Sequence, residues 1–223
     1  MSEKIEDVGK DERGRQKEAK LLKLVHTTRK LSERARALEE EAHVDSLTGL
    51  LNRRGFDTRM SGLAAPLQQE RRAGEKSERV ALIACDIDNF KEINDKYGHA
   101  AGDAVLRAIA SILRSEVRDT DYVARVGGEE FILVLPGATE KKATEIASRL
   151  RSKVEGSPAT YGNIDRLQVS IPFTASFGVA YADTREELSA TVEHADTALY
   201  RAKANGKNTV SRYAEFTARE QDS

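Results

Sequence analysis

A chain of 223 residues has room for one full-sized domain and an appendage. Hydrophobic residues make up 39% and charged ones 33%, and no apolar run approaches the roughly 18 to 20 residues that cross a bilayer, so a membrane partner is not expected. With 36 basic against 37 acidic residues the net charge is -1, which argues against attraction of the whole chain to nucleic acid.

The first residues, Met1 to Asp7, lack the apolar core of a signal peptide, and the expected location is the cytoplasm. Residues 1–17 carry Gly9 and Gly14 among charges and are expected to be disordered. Residues 18–44 contain neither Pro nor Gly and repeat every seven residues, with Leu21, Thr28, Ala35 and Ala42 in one position and Leu24, Leu31 and Leu38 in the other. That seam predicts a helix that pairs with a second copy of itself as a coiled coil, weakened by Thr28 and the two alanines. A surface helix folded on the domain is the alternative. The basic stretches Arg13 to Lys23 and Arg29 to Arg36 are mixed with acids and read as a solvated helix surface.

Beyond Ala42, Asp45 or Ser46 is placed to cap a helix start, Gly49 and Asn52 interrupt, and a helix is predicted from Arg53 to Arg72 with Pro66 disturbing it. Val80 to Cys85 reads as a strand buried on both faces, with the lone Cys85 a small hydrophobe inside it and no disulfide. Asp103 to Val117 reads as an amphipathic helix. Tyr122 to Val126 and Phe131 to Leu135 read as strands of a hairpin, divided by Gly127-Gly128-Glu129-Glu130, where glycine would supply the positive φ of a tight turn. A helix over Lys141 to Val154, a strand over Phe173 to Ala180 and a helix over Leu188 to Ala204, ended by Asn205-Gly206, complete the order. This is an α/β pattern, with helices returning the chain from one side to a mixed sheet that the hairpin makes antiparallel at its centre.

The chemistry sits at strand ends. Asp86 and Asp88 leave the same face if the strand continues, and two carboxylates that close repel unless a cation lies between them; magnesium suits such hard oxygens. The other reading has one aspartate capping the next helix and its neighbour in solvent. A hairpin packed beside Val80 to Cys85 would bring Glu129 or Glu130 to Asp86, and Gly127 and Gly128 would leave space for a bulky ligand. None of the histidines has zinc-site spacing.

The hairpin Gly127-Gly128-Glu129-Glu130-Phe131 resembles the signature of GGDEF-domain diguanylate cyclases in its GGEEF form. Further stretches match in family order: Asp45 to Arg54, Asp86 to Asp95 leading to Gly98-His99 and Gly102-Asp103, Ala175 to Ala180, and Ala195 to Lys203 followed by Gly206-Lys207-Asn208. The resemblance covers roughly residues 43 to 213 and sets a catalytic domain at 45–215 with a flexible tail at 216–223. It implies a mixed, largely antiparallel sheet with surrounding helices, like that of nucleotidyl cyclases and polymerase palm domains, preceded by the N-terminal helix.

The resemblance implies condensation of two GTP into cyclic di-GMP by a homodimer with Mg2+, or Mn2+ in its place. Asp86, the Ile87 carbonyl and Glu129 would hold the metal, and Glu130 would approach the attacking hydroxyl as its base. Asn94 and Asp103 would read the guanine edge, although Asp103 reads equally as a helix cap. Phe90, Gly127 and Gly128 would line the substrate, while Lys91, Lys203 and Lys207 would meet its phosphates; Lys207 stands where the family often has Arg. Arg118-Asp119-Thr120-Asp121 has the RxxD form of the family's product-binding inhibitory site, with Arg149 as its secondary arginine. The N-terminal segment would gather two domains, acting alone or under an upstream regulatory protein. A silent cyclic di-GMP-binding protein and a cyclase relaxed between GTP and ATP are the rival readings.

Overall fold

In chain order the elements are α1 (Arg53–Ala64), β1 (Val80–Ile87), α2 (Phe90–Tyr97), α3 (His99–Ser115), β2 (Tyr122–Arg125), β3 (Glu130–Pro136), α4 (Glu140–Glu155), β4 (Ala159–Tyr161), β5 (Val169–Ile171), β6 (Ala175–Ala182), α5 (Leu188–Ala204) and β7 (Val210–Arg212). The computed structural model describes residues 23–30, 34, 42–64, 79–162, 168–182 and 188–213. No helix among them is long and apolar enough to cross a membrane.

The chain divides into two units, Met1–Ala42 and His43–Ser223. In the first, residues 23–30 are helical and exposed, with Leu24 at 63% and Val25 at 59%. The seam positions Leu24 and Thr28 are therefore helical; Leu21, Leu31, Ala35 and Leu38 lie outside the described residues, as do residues 1–17 and 216–223.

In the second unit an unbroken apolar strand must find cover on both faces. β1 is buried along its whole length and occupies the middle of a five-stranded sheet of order β2-β3-β1-β6-β7. Its pairings with β3 and β6 are antiparallel, as is β2 with β3, while β6 and β7 run parallel. Ile83, Cys85 and Ile87 turn to a cluster filled by α3 and α4, whereas Leu82 and Ala84 turn to one that holds Phe56 of α1 and Ala195 of α5. Helices thus cover both faces, not one, because alternate residues of β1 are apolar on both. Burial also pushes the Cys85 thiol well above its usual range, as befits a core hydrophobe.

Several boundaries differ from the sequence reading. Asn52, taken as an interruption, receives the Gly55 amide at 2.9 Å and caps α1. α1 is described only to Ala64, so the predicted continuation to Arg72 lies outside the described residues. The helix expected from Asp103 begins at His99, after a separate helix over Phe90–Tyr97, and Gly98 divides the two with φ 84°. Asp103 lies beyond the first turn, which removes its capping role. The hairpin is present, but Gly127 and Gly128 are absent from the positive-φ glycines; its connection through Val126 to Glu129 is longer than the two-residue turn that demands them.

Gly178 fixes the position of α5. A side chain there would collide with the backbone at Ala195 and Leu199, so the helix lies directly on β6. We expect Gly178→Ala to cost about 3 kcal/mol, since the obstacle is backbone that cannot turn aside. Urea denaturation checks this, and an unchanged midpoint would count against the close approach.

Candidate active site

The β1–β3 register sets Asp86 directly opposite Glu130. Asp86 follows Leu82 and Ala84, and Glu130 precedes Ile132 and Val134, so both carboxylates leave the face toward α5. The Ile87 amide donates to the Glu129 carbonyl at 3.3 Å, which ties the hairpin tip to the end of β1. From α5, Lys203 places Nζ 2.6 Å from Asp86 Oδ2. Asp196 lies two helical turns earlier on the same flank of α5, close enough for Glu130 to repel it. The acids of two separated segments therefore meet.

Burial sets their charge states. Asp86 is 4% exposed, and burial pushes its carboxyl above the usual range against the pull of Lys203, with Glu130 and Asp88 adding repulsion. Glu129 is raised by burial first and by Asp86 second, and Asp196 by burial and then Glu130. While Asp86 Oδ2 takes Lys203, Oδ1 is buried without a hydrogen-bond partner. An orphaned carboxylate oxygen beside Glu129, whose carboxyl is raised as well, fits a hard divalent cation. Among the described residues no three His, Cys, Asp or Glu side chains converge as a ready-made ligand set, so such an ion would draw on backbone and substrate oxygens too.

Asp88 does not share this site. It accepts from Thr174 Oγ1 and Ser176 Oγ, each at 2.7 Å, and from the Asn208 amide at 2.9 Å, which consumes its charge in fastening β1, β6 and the loop before β7. The repulsion expected between Asp86 and Asp88 is present, and Asp88 meets its own charge with protein donors. That same loop carries Lys207, whose Nζ donates to Asn89 Oδ1, in a run of positive φ at Gly206 (105°), Lys207 (63°) and Asn208 (45°).

α2 and α3 place the proposed guanine readers side by side. Asn94 lies against Gly102, where a side chain would strike its amide oxygen, and Asp103 follows on the next position. Phe90 is buried beneath them and Lys91 is exposed. At the hairpin, a side chain on Gly127 would strike the Glu130 carboxylate, so part of the space expected for ligand is already filled; Gly128 stays open. Arg118 and Asp121 share one turn, the Asp121 carboxylate accepting from the Arg118 amide at 2.9 Å. Arg149, on α4, pairs with Glu116 just ahead of that turn.

Sequence reasoning missed Arg125. Its Nη1 lies 3.2 Å from both Asp45 carboxylate oxygens, while Nη2 donates to the Gly128 carbonyl at 2.7 Å. Asp45 is not a helix cap; it closes its own loop, accepting from the Thr48 amide at 2.9 Å and hydroxyl at 2.6 Å. Despite burial, the Thr48 and Arg125 donors hold its carboxyl below the usual range. Arg125 thus braces the tip that bears Glu129. Only the presence of Asp45 in one motif and Arg125 beside another signalled it.

A family model described as "Diguanylate cyclase, GGDEF domain" matches residues 42–209. Diguanylate cyclase A of Treponema denticola is 44% identical over 140 residues, covering 62% of this chain and 36% of its own length. DgcM of Escherichia coli K12 is 38% identical over 190 residues, covering 85% and 43%. The chain spans less than half the length of these curated relatives. Among solved structures, the coiled coil and GGDEF domain of DgcB from Caulobacter crescentus, in complex with c-di-GMP, aligns with TM-score 0.74 at 28% identity over 87% of this chain and 98% of that one. SiaD of Pseudomonas aeruginosa, with its activator SiaC, aligns with TM-score 0.67 at 33% identity over 93% and 77%.

A carboxyl raised by folding takes up protons relative to the unfolded chain, so its contribution to stability falls as pH climbs from the ordinary value toward the raised one. For Glu129 the window opens at 4.5. Glu129→Gln should therefore melt above the parent at pH 7 in metal-free buffer, with the difference closing as pH falls below 4.5. Thermal melts across pH check this; a lower melting temperature at pH 7 would contradict the crowding of acids described here.

Proposed function

This chain belongs to the GGDEF family of diguanylate cyclases, and from that premise we propose that it condenses two GTP molecules into cyclic di-GMP, releasing two pyrophosphates, as a homodimer restrained by its product. The observation that carries the reading is the meeting of Asp86 with Glu130 and the Glu129 tip, around a buried carboxylate oxygen that no protein donor satisfies. Members that bind without turnover have no use for that arrangement, and its retention favours the active enzyme.

Asp86, the Ile87 carbonyl and Glu129 would hold magnesium, or manganese in its place. When bound, the metal would neutralise the triphosphate and lower the pKa of the attacking hydroxyl. Glu130, on the face it shares with Asp86, accepts the proton that the 3'-hydroxyl loses. Lys203, Lys207 and Lys91 supply mobile positive charge to the phosphates, and Lys207 does so without the bidentate fork of an arginine. Asn94 and Asp103 read the guanine edge, since a carboxylate accepts from guanine N1 and N2 together and adenine offers no such pair. A buried acceptor left unmet costs about 1–3 kcal/mol, which sets the preference for GTP over ATP. Phe90 forms the apolar floor under this pair, and Gly127 and Gly128 carry the hairpin over the substrate.

One domain holds one GTP, so bond formation needs a facing partner. The exposed Leu24 and Val25 on the N-terminal helix suit a paired coil, which would raise the effective concentration of the second domain. The coiled coil of the DgcB relative supports that role, its bound c-di-GMP supports a product site at Arg118, Asp121 and Arg149, and the activator on SiaD supports an upstream regulatory protein.

Incubation with magnesium and GTP, ATP or both, followed by chromatography, should yield cyclic di-GMP from GTP. Unchanged nucleotide at high protein concentration, with the dimer verified, would overturn the reading. Asp86→Ala should lower turnover by about 10²-fold or more while the fold persists. In calorimetric titration Arg118→Ala should lose most cyclic di-GMP binding, and equal binding by parent and variant would remove the product site.

A further inference from the structure

The turn that carries Arg118 and Asp121 is closed by its own backbone: the Asp121 amide donates to the Arg118 carbonyl at 3.0 Å, and the Asp121 carboxylate accepts from the Arg118 amide. Those bonds use nothing of the guanidinium, which stays exposed. Two residues upstream, at the C-terminal end of α3, Glu116 faces α4 with a side chain only 15% exposed. Its Oε2 accepts from Arg149 Nε, and its Oε1 lies 2.8 Å from Lys153 Nζ, which also donates to Ser115 Oγ at 2.9 Å. Arg149 and Lys153 are four residues apart and so occupy one stripe of α4 on successive turns. The two cations hold the Glu116 carboxyl below the usual range, Lys153 most and Arg149 next, which keeps it ionised. Arg151 on the same helix is committed elsewhere, to Glu155 at 2.9 Å and Asn208 at 3.1 Å.

We propose that Glu116 is an internal counter-anion of the product site: its carboxylate fills the cradle of Arg149 and Lys153 that a phosphodiester of cyclic di-GMP would take, and so sets the product concentration at which inhibition begins. The inference rests on the product-site reading above and adds Lys153 and Glu116 to it. A cyclic dinucleotide carries two phosphodiester charges, and each guanidinium or ammonium donor given to Glu116 is withheld from it. Ligand affinity scales with the fraction of protein in the competent state, here the fraction in which Arg149 has left Glu116. Glu116 also adds a like charge beside the bound anion, and the loss of either effect pushes affinity upward.

Calorimetric titration of cyclic di-GMP into the parent, Glu116→Gln, Arg118→Ala, Arg149→Ala and the double variant Glu116→Gln with Arg149→Ala tests the proposal. Glu116→Gln should bind about 3- to 10-fold tighter than the parent, the scale on which one partly screened charge acts. In the Arg149→Ala background, compared with Arg149→Ala alone, that gain should collapse, because the competition runs through the arginine. Equal or weaker binding by Glu116→Gln, with Arg118→Ala still deficient, would overturn the counter-anion and leave the product site standing. A full gain that survives without Arg149 would overturn it too. If no variant and not the parent binds, the product-site reading fails first and this inference falls with it.

Discussion

A carboxylate at the end of a buried strand is the constraint around which the domain is arranged. Asp86 stands where β1 leaves the core, and burial raises the free energy of its ionised form. Lys203 answers one oxygen and leaves the other without a partner. For that lysine to arrive, α5 must lie on β6 within backbone contact, which Gly178 permits, and β6 must pair with β1 along its length. For the opposing acids to arrive, β3 must pair with the other edge of β1 in a register that sets Glu130 against Asp86. A slip of one residue would send Glu130 to the far face of the sheet. Strand order, helix approach and register are thus fixed by the same few ångströms.

What the sequence disclosed follows the same logic. Val80 to Cys85 is apolar at every position, and a run that short with β-branched Val80 and Ile83 suits a central strand better than a helix. Acids directly beyond such a strand and at the tip of a hairpin serve no packing need, which made Asp86, Glu129 and Glu130 visible. The elements that escaped notice are short or lack a period: Phe90–Tyr97 is eight residues, and Val210–Arg212 is three, held by parallel pairing to β6. The Asp45–Arg125 pair spans 80 residues, and no local pattern announces an ion pair at that separation. Asp88 misled for a related reason. Spacing gave the face of the strand correctly, whereas the hydroxyls that consume its charge come from Thr174, just before β6, and Ser176 within it, 86 and 88 residues away.

The two aspartates at the end of β1, Asp86 within it and Asp88 just past it, show how neighbouring identical side chains come to different ends. Asp88 has three donors and is spent on structure, including the anchoring of a loop that holds two non-glycine residues at positive φ. Such conformations cost of order 1–3 kcal/mol each and persist only when surrounding bonds over-determine them. Asp86 is under-satisfied by the protein and retains the capacity to bind. Fold and chemistry are divided across two residues, so the charge available for chemistry is the one the fold does not neutralise.

That division bears on Lys203. In the absence of ligand its ammonium is the chief compensation for Asp86, and a lysine paired at 2.6 Å is not free to meet a phosphate. On the proposed function, a divalent cation held by Asp86 would supply that compensation, leaving Lys203 to turn to the phosphates. The buried Asp86 would then keep a compensating charge, which matters because an unpaired buried ion costs several kcal/mol. Lysine suits the exchange better than arginine would: a flexible stem ending in a point charge can change partners without breaking a bidentate geometry. On that reading the ion pair seen between α5 and β1 is one of two pairings open to the same lysine, and the orphaned oxygen beside it is the part of Asp86 that the cation would take.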